Sequence, residues 1–484
     1  MVDYFLGLDV GTKNIKGVIL TDEGKIIERK KIAVYDLLYQ PRENYVERDP
    51  KLLWQKVVNL LKDMRYIDRI SGLCVDATSG SFTQIDEDGN ELYRIIMYND
   101  SRAIKEAEEL RKKSQKARDF ERYLPITPTL VLPKLMWLKN NFSDFYKVYK
   151  ILHESDYIVY KLTGETVTSP NVAGKAHALL DGLGYLEEAY SDVDIPIKIM
   201  PEVRKIGDVI GYTTERIMNE IGIPKSTPVI NGMTDASSSD VSSGVFSNGQ
   251  ANVTIGTSLT VHAVVKNLVP DKHKRFYYKA YLNNLFLAGG FTNAGTPIFD
   301  TFSKITSKSL DELTSQAAKV EPGSGGLISC NELFGVRVPQ SFPNVKGFII
   351  GLSEKNFTYG HVFRSFLESS GYALKLMLDA IEETTKVTIN DLRISGGASR
   401  NDLLLQIIAD ITGREVKAVY EPDAAIGSVI LAMANITRKN LEKIAEKTIK
   451  IRASYLPNQE HYETYIKLVE KYKEIIFSLN KIFS

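Results

Sequence analysis

Over the first 35 residues, apolar and polar positions alternate in short runs. Tyr4–Leu8 is apolar, Gly11-Thr12 turns the chain, and Ile15–Leu20 is apolar again. Asp22-Glu23-Gly24-Lys25 then makes a second turn before Ile26–Val34. Short strands separated by such turns predict a meander of hairpins. A dinucleotide-binding unit would place a helix directly behind its glycine turn, and the chain carries no P-loop signature. The period lengthens at Pro50–Asp63, where Leu52, Leu53, Val57, Val58 and Leu61 fall on one face of a predicted helix. Ile70–Val75 reads as strand, Ser101–Ser114 as a charged, exposed helix, Thr227–Asn231 as strand and Asp235–Ser243 as a helix of small residues. The basic stretch Arg111–Arg118 could attract an anion, but a solvated helix face accounts for it more simply.

The opening pattern returns near residue 245. Ala251–Ile255 is a strand, Gly256-Thr257 a turn and Leu259–Val265 a strand, so Asp9-Val10-Gly11-Thr12 and Thr254-Ile255-Gly256-Thr257 are one device used twice. We read this as duplication of one architectural unit, with residues 1–244 and 245–484 as two domains. Near the end, Tyr465, Val469, Tyr472, Ile476 and Leu479 fall at helical spacing and predict a packing stripe.

Composition narrows the class. With 484 residues, 43% hydrophobic and 25% charged, the chain has ordinary globular usage and room for two or three domains. The 61 Lys+Arg against 60 Asp+Glu leave no basic surplus for nucleic acid. Cys74 and Cys330 sit among apolar or small residues and read as buried free thiols, which suits a reducing, cytoplasmic setting. Asp3 and Asp9 interrupt the apolar N-terminal stretch, so no secretory signal is expected. No apolar run is long enough to span a membrane.

The candidate chemistry lies at the turns. A hairpin tip with Gly11 and Thr12 offers backbone N–H groups and a hydroxyl to phosphate oxygens. Asp9 could hold Mg²⁺ there, directly or through water, and Lys16 adds positive charge on the returning strand. Gly256, Thr257 and Ser258 repeat the donors without a carboxylate, which suits terminal phosphates. Gly396, Gly397, Ala398 and Asn401 follow a short strand and open a helix, where a flat base or ribose could lie on backbone. Asp235, at a strand end in Asn231-Gly232-Met233-Thr234-Asp235, could be a helix cap or could accept a proton from a substrate hydroxyl.

Taken in order, these segments resemble the FGGY carbohydrate kinases of the actin-like ATPase superfamily over nearly the whole chain. Tyr98-Asn99-Asp100-Ser101-Arg102-Ala103 is similar to the family's W-x-D-x-R-A. Asp156-Tyr157 with Lys161-Leu162-Thr163-Gly164 matches its D-Y and K-L-T-G, and Gly335–Pro339 resembles G-E-R-x-P with Val336 in place of Glu. Gly396–Asn401 and Ala425-Ile426-Gly427 match its adenosine region. The resemblance implies an α/β fold of two actin-like, ribonuclease-H-like domains around a deep cleft, with sugar in the N-terminal domain and ATP against the C-terminal one. It implies Asp235 as general base, Asp9 near Mg²⁺ and both hairpins as a phosphate cradle. Val75-Asp76-Ala77-Thr78-Ser79-Gly80-Ser81 has neither the G-Q-M-H-G of xylulose kinases nor the Arg-Glu pair of glycerol kinases. Its D-x-T-S-G pattern, with Y-N-D-x-R downstream, looks closest to xylulokinase-like proteins that act on D-ribulose. The expected substrate is therefore a ketopentose, D-ribulose ahead of D-xylulose, read by Thr78, Ser79, Asp100 and Asp235. The alternative is a non-catalytic actin-like sensor of sugar or nucleotide. A homodimer is compatible with either.

Overall fold

The computed structural model describes residues 3–483. The opening meander is present as strands Tyr4–Val10, Asn14–Thr21 and Ile26–Ala33, antiparallel in sequence order. Strand Ile70–Ala77 joins Tyr4–Val10 in parallel, Pro228–Ile230 follows in parallel, and Val209–Tyr212 closes that edge antiparallel. A second sheet repeats the plan strand for strand. Phe286–Thr292, Leu259–Val265 and Gln250–Ile255 form its antiparallel meander. Asp391–Ser395 and Val416–Val419 add in parallel, and Ile451–Tyr455 closes antiparallel. The duplication predicted from two four-residue turns is thus a duplication of whole sheets. A further strand, Tyr277–Ala280, lies at the meander edge of the second sheet.

The chain forms two compact units, but not as two contiguous halves. One holds the residues up to Gly244 together with Lys279–Asn284 and Asp423–Ile449; the other holds Val245–Tyr278, Leu285–Pro422 and Lys450 onwards. Backbone contact explains the return to the first unit. A β-carbon on Gly427 would lie 1.8 Å from the Ser238 carbonyl oxygen, and one on Gly7 would lie 1.9 Å from that of Ala425. Helix Ala424–Thr437 is therefore seated on helix Asp235–Ser242 and on strand Tyr4–Val10 at distances that only glycine permits. Ala425–Gly427, which the resemblance puts in the adenosine region, packs inside the first unit.

Helix Pro50–Lys62 starts where Asp49 accepts from the N–H groups of Lys51 and Leu52 at 2.9 and 3.1 Å, with proline in its first turn. It buries Leu53, Trp54, Val57, Val58, Leu60 and Leu61, while Leu52 is 45% exposed, off the edge of the predicted stripe. The charged helix predicted at 101–114 is two helices, Ile104–Lys113 and Gln115–Phe120, broken at Ser114, whose hydroxyl caps the second. Its two arginines are engaged internally, while Lys112, Lys113 and Lys116 are exposed: Arg111 pairs with Glu121 at 2.9 Å and Arg118 donates to the Lys112 carbonyl at 3.1 Å. A five-stranded sheet, including Glu47–Arg48, Phe82–Ile85, Ile95–Ile96 and Lys150–His153, carries much of what lies near the site in the first unit. In the second unit, Gln459–Phe483 buries Tyr465, Val469, Tyr472 and Ile476, as the stripe predicts, while Leu479 at its end is only half-buried. Both cysteines are free and buried. Among the described residues, no helix is long and apolar enough to cross a membrane.

Candidate active site

Sheet register brings the first charges together. Asp9 sits opposite Lys16 across the hairpin and opposite Asp76 on the parallel strand. Lys16 Nζ lies 3.2 Å from Asp9 and 3.2 Å from Asp423, the residue that caps helix Ala424–Thr437. Burial, reinforced by Asp235 and Asp423, pushes the Asp9 carboxyl up to about 6 even against Lys16. Its Oδ1 is buried and has no hydrogen-bond partner. Asp76 is completely buried, accepts a hydrogen bond from Ser428, and is held well above the usual carboxylate range by burial and by Asp9. The sequence pointed to Asp9 and Lys16. Asp76 and Asp423 were missed, since only strand pairing and the late return of the chain bring them in.

Asp235 is the first residue of its helix, not the cap. Thr234 occupies the cap position without a side-chain cap bond. Asn171, from a distant segment, fixes that helix start: its Oδ1 accepts from the Thr234 N–H at 2.9 Å, and its Nδ2 donates to Ser237 Oγ at 3.0 Å. One Asp235 oxygen accepts from the Ala236 N–H at 2.7 Å. The side chain is half-buried, and burial raises its carboxyl against the pull of that N–H and of Lys279 and Lys175. A β-carbon on Gly232 would meet the Val75 carbonyl at 2.4 Å, so the loop carrying Asp235 lies directly on the end of strand Ile70–Ala77.

The residues expected to read sugar divide. Ser79 is half-buried. Thr78 is buried and donates to Glu154 Oε2 at 2.7 Å. Asp100 is fully buried and accepts from the Val46 N–H at 2.6 Å and from the Arg102 guanidinium at 2.7 and 2.9 Å. Arg102 also pairs with Glu47 and lies 4.0 Å over the Tyr45 ring, so the Y-N-D-x-R segment is tied into a buried ionic cluster. No local pattern announces Glu47 or Tyr45 as its partners.

In the second unit the other hairpin repeats the first with hydroxyls in place of carboxylates. Thr254 takes the position of Asp9 and pairs with Ser395, which takes that of Asp76; their side-chain oxygens are 2.9 Å apart. Thr257 is exposed at the turn, Gly256 and Ser258 are half-buried, and the Gly256 N–H donates to the Ser258 carbonyl. Gly396 has φ of +88°, and a β-carbon there would meet the Ile255 carbonyl at 2.6 Å. This glycine lets the loop lie on the strand that feeds the second hairpin. Gly397 is exposed and Ala398 half-buried beside it. Asn401 caps helix Asp402–Thr412 through the Leu404 N–H, and its amide donates to Thr314 at 3.0 Å, so both ends of the side chain are engaged.

Two family models match this chain: the N-terminal domain of the FGGY family of carbohydrate kinases over residues 4–242 and the C-terminal domain over 251–436. The chain belongs to the FGGY family of carbohydrate kinases. This kinase is 27% identical to a xylulose kinase of Staphylococcus xylosus, over 98% of its own length and 99% of that protein. It is 26% identical to a gluconokinase of Bacillus subtilis, over 90% and 88%. Its fold matches the crystal structure of a xylulose kinase from Rhodospirillum rubrum with a TM-score of 0.91 at 22% identity, over 99% of both chains. It is accordingly a two-domain α/β sugar kinase, a phosphotransferase with an alcohol acceptor and ATP as the implied donor.

Proposed function

We propose that this kinase transfers the γ-phosphoryl group of ATP to a hydroxyl of a ketopentose, D-ribulose ahead of D-xylulose, with Asp235 as general base. The observation that carries the reading is Asp235 itself. It is a half-buried carboxylate on a helix start fixed by Asn171, and one of its oxygens already holds a backbone N–H. A base held this way can orient a sugar hydroxyl and take its proton as the bond to phosphorus forms. Its raised carboxyl brings its basicity nearer to working pH.

Mg²⁺ fits the first hairpin by its donor set. Asp9 keeps one buried oxygen unpartnered, with Lys16 on the other. Among the described residues no group of three or more His, Cys, Asp or Glu could hold a metal ion. Mg²⁺ usually takes only one or two carboxylates, completing its shell with water and phosphate. Asp9 would hold the ion; when bound, it neutralises charge on the phosphates. Gly11, Thr12 and Lys16 then serve the phosphates from one hairpin, Gly256, Thr257 and Ser258 from the other, and Gly396–Ala398 serve the adenosine.

The D-x-T-S-G segment supports the ketopentose, and relatives named xylulose kinase support the pentulose class. One observation favours a second reading, a sugar acid. Lys175, half-buried over the Tyr98 ring at 5.7 Å, and Lys279 both act on Asp235, and burial together with Lys279 lowers the Lys175 amine to about 8. Relatives named gluconokinase fit that reading. The test is ADP release with ATP and Mg²⁺ across D-ribulose, D-xylulose, D-gluconate and glycerol. Turnover of a ketopentose at the highest kcat/KM is expected. Preference for gluconate would move the assignment to the sugar acid, and binding without turnover would leave only the sensor.

A further inference from the structure

Beneath the first hairpin runs a buried chain of hydrogen bonds that converges on Glu154 from both sides. The Tyr98 N–H donates to Ser81 Oγ at 2.9 Å. Ser81 Oγ and Thr78 Oγ1 are 2.6 Å apart. Thr78 gives its own proton to Glu154 Oε2 at 2.7 Å, so Ser81 is the donor in that pair. Glu154 Oε1 receives Arg48 NH1 at 2.7 Å, and Arg48 NH2 reaches the carbonyls of Thr12 at 2.8 Å and Gly11 at 3.2 Å. Arg48 and Glu154 have no solvent exposure. The peptide unit is planar and trans. A carbonyl held inward by Arg48 therefore points the N–H of the next residue the opposite way. Fixing the carbonyls of Gly11 and Thr12 sets the N–H groups of Thr12 and Lys13.

We infer that Arg48 is a positioning residue for the phosphate hairpin, and that the buried Arg48–Glu154 pair ties the hairpin to the sugar-reading segment through Thr78. Arg48 touches no substrate. It aims the donors that do, and Thr78 acts through it rather than by giving a proton to the sugar. Lysine cannot replace the fork, because one ammonium cannot stand at the places of two guanidinium nitrogens. The inference rests on the reading that the first hairpin takes phosphate.

The test measures steady-state constants for ATP and sugar in the whole chain carrying R48K, T78V, S79A or T12V, with D-ribulose and D-xylulose as acceptors and circular dichroism to check folding. R48K should raise the ATP KM about tenfold and leave the sugar KM within about twofold, a split that general loss of structure does not produce. T78V is nearly isosteric and keeps the ion pair. It should still raise the ATP KM by about two- to fivefold, while S79A moves the sugar constant alone. An unchanged ATP KM in folded R48K overturns the inference, as does an unchanged ATP KM in T78V whether or not R48K folds. T12V separates the two levels. If T12V raises the ATP KM and R48K and T78V do not, the clamp fails and the hairpin reading stands. If T12V also leaves it unchanged, the hairpin reading fails first.

Discussion

Asp235 carries the chemistry or it does not, and one atom decides. Asn keeps the oxygen that accepts from the Ala236 N–H but cannot take a proton. Asp235→Asn is expected to fold, to bind both substrates and to lose about 10²–10⁴-fold in kcat, the usual worth of a positioned base. The capping explanation forecasts survival, because Asn caps as well as Asp; the structure weakens it by giving the cap position to Thr234. Turnover within a few-fold of the parent enzyme would remove Asp235 from the mechanism. Ser79 makes a separate forecast. It is half-buried next to a threonine whose proton is already committed to Glu154. Ser79→Ala should raise the sugar KM and blur discrimination between D-ribulose and D-xylulose, at an unchanged ATP KM. A shift confined to ATP would put Ser79 on the phosphate side.

The two hairpins differ in charge where they agree in shape. Asp9 and Asp76 face each other in one, Thr254 and Ser395 in the other. A duplicated scaffold thus carries carboxylates at one turn and hydroxyls at the other. Thr12→Val and Thr257→Val should each weaken ATP use by about 1.5–3 kcal/mol, the worth of a hydrogen bond to a charged group. Competition by ADP checks this without turnover, and unchanged affinity in both variants would sink the cradle. Much at this scale was legible in the sequence. The first meander, the hairpin that opens the second, the glycine turns and the helix at 50–62 follow from apolar period and turn chemistry, which are local; the second meander's third strand, Phe286–Thr292, was not read. What was not legible is long-range. Leu52 has the right period, yet it lies largely in solvent, whereas Trp54 and Leu60 are covered. Asn171, Arg48, Glu154 and Asp423 enter the site from segments whose own patterns say only loop, strand or cap. Asp100 was legible as part of a motif, but its burial beneath Arg102 depends on partners dozens of residues away.

At the scale of the molecule, buried ionisable groups write a pH dependence into folding. Asp156, from the D-Y motif, is buried, and its carboxyl is pushed up to about 8 by that burial, despite hydrogen bonds from the His153 N–H and the Ser155 hydroxyl. The unfolded chain releases this proton near 3.8, while the folded chain keeps it. The folded state then binds more protons between about 4 and 8, and stability falls as pH rises through that window. His153 and His177 act in the opposite sense. Burial lowers each ring to about 4, so acid below the ordinary value of 6.5 favours the unfolded state. Asp156→Asn isolates the first effect. Its stability relative to the parent should grow with pH from 5 to about 7.5 by at most about 1.4 kcal/mol per unit, read from urea unfolding. Parallel stability curves for the two proteins would show that Asp156 ionises freely inside the fold.

The late return of the chain to its first unit has a consequence for how the protein is made. Strand Tyr4–Val10 and helix Asp235–Ser242 both lie against a helix that begins after Asp423. At a usual synthesis rate of 5–20 residues per second, the first unit waits roughly 10–40 s on the ribosome for its last wall. Through that interval the faces at Gly7 and Ser238 have no helix to meet, and Ser428, the partner of Asp76, does not yet exist. The nascent chain thus passes this interval with the carboxylates of its first hairpin least protected, and the first unit becomes complete only after Asp423–Ile449 has been made.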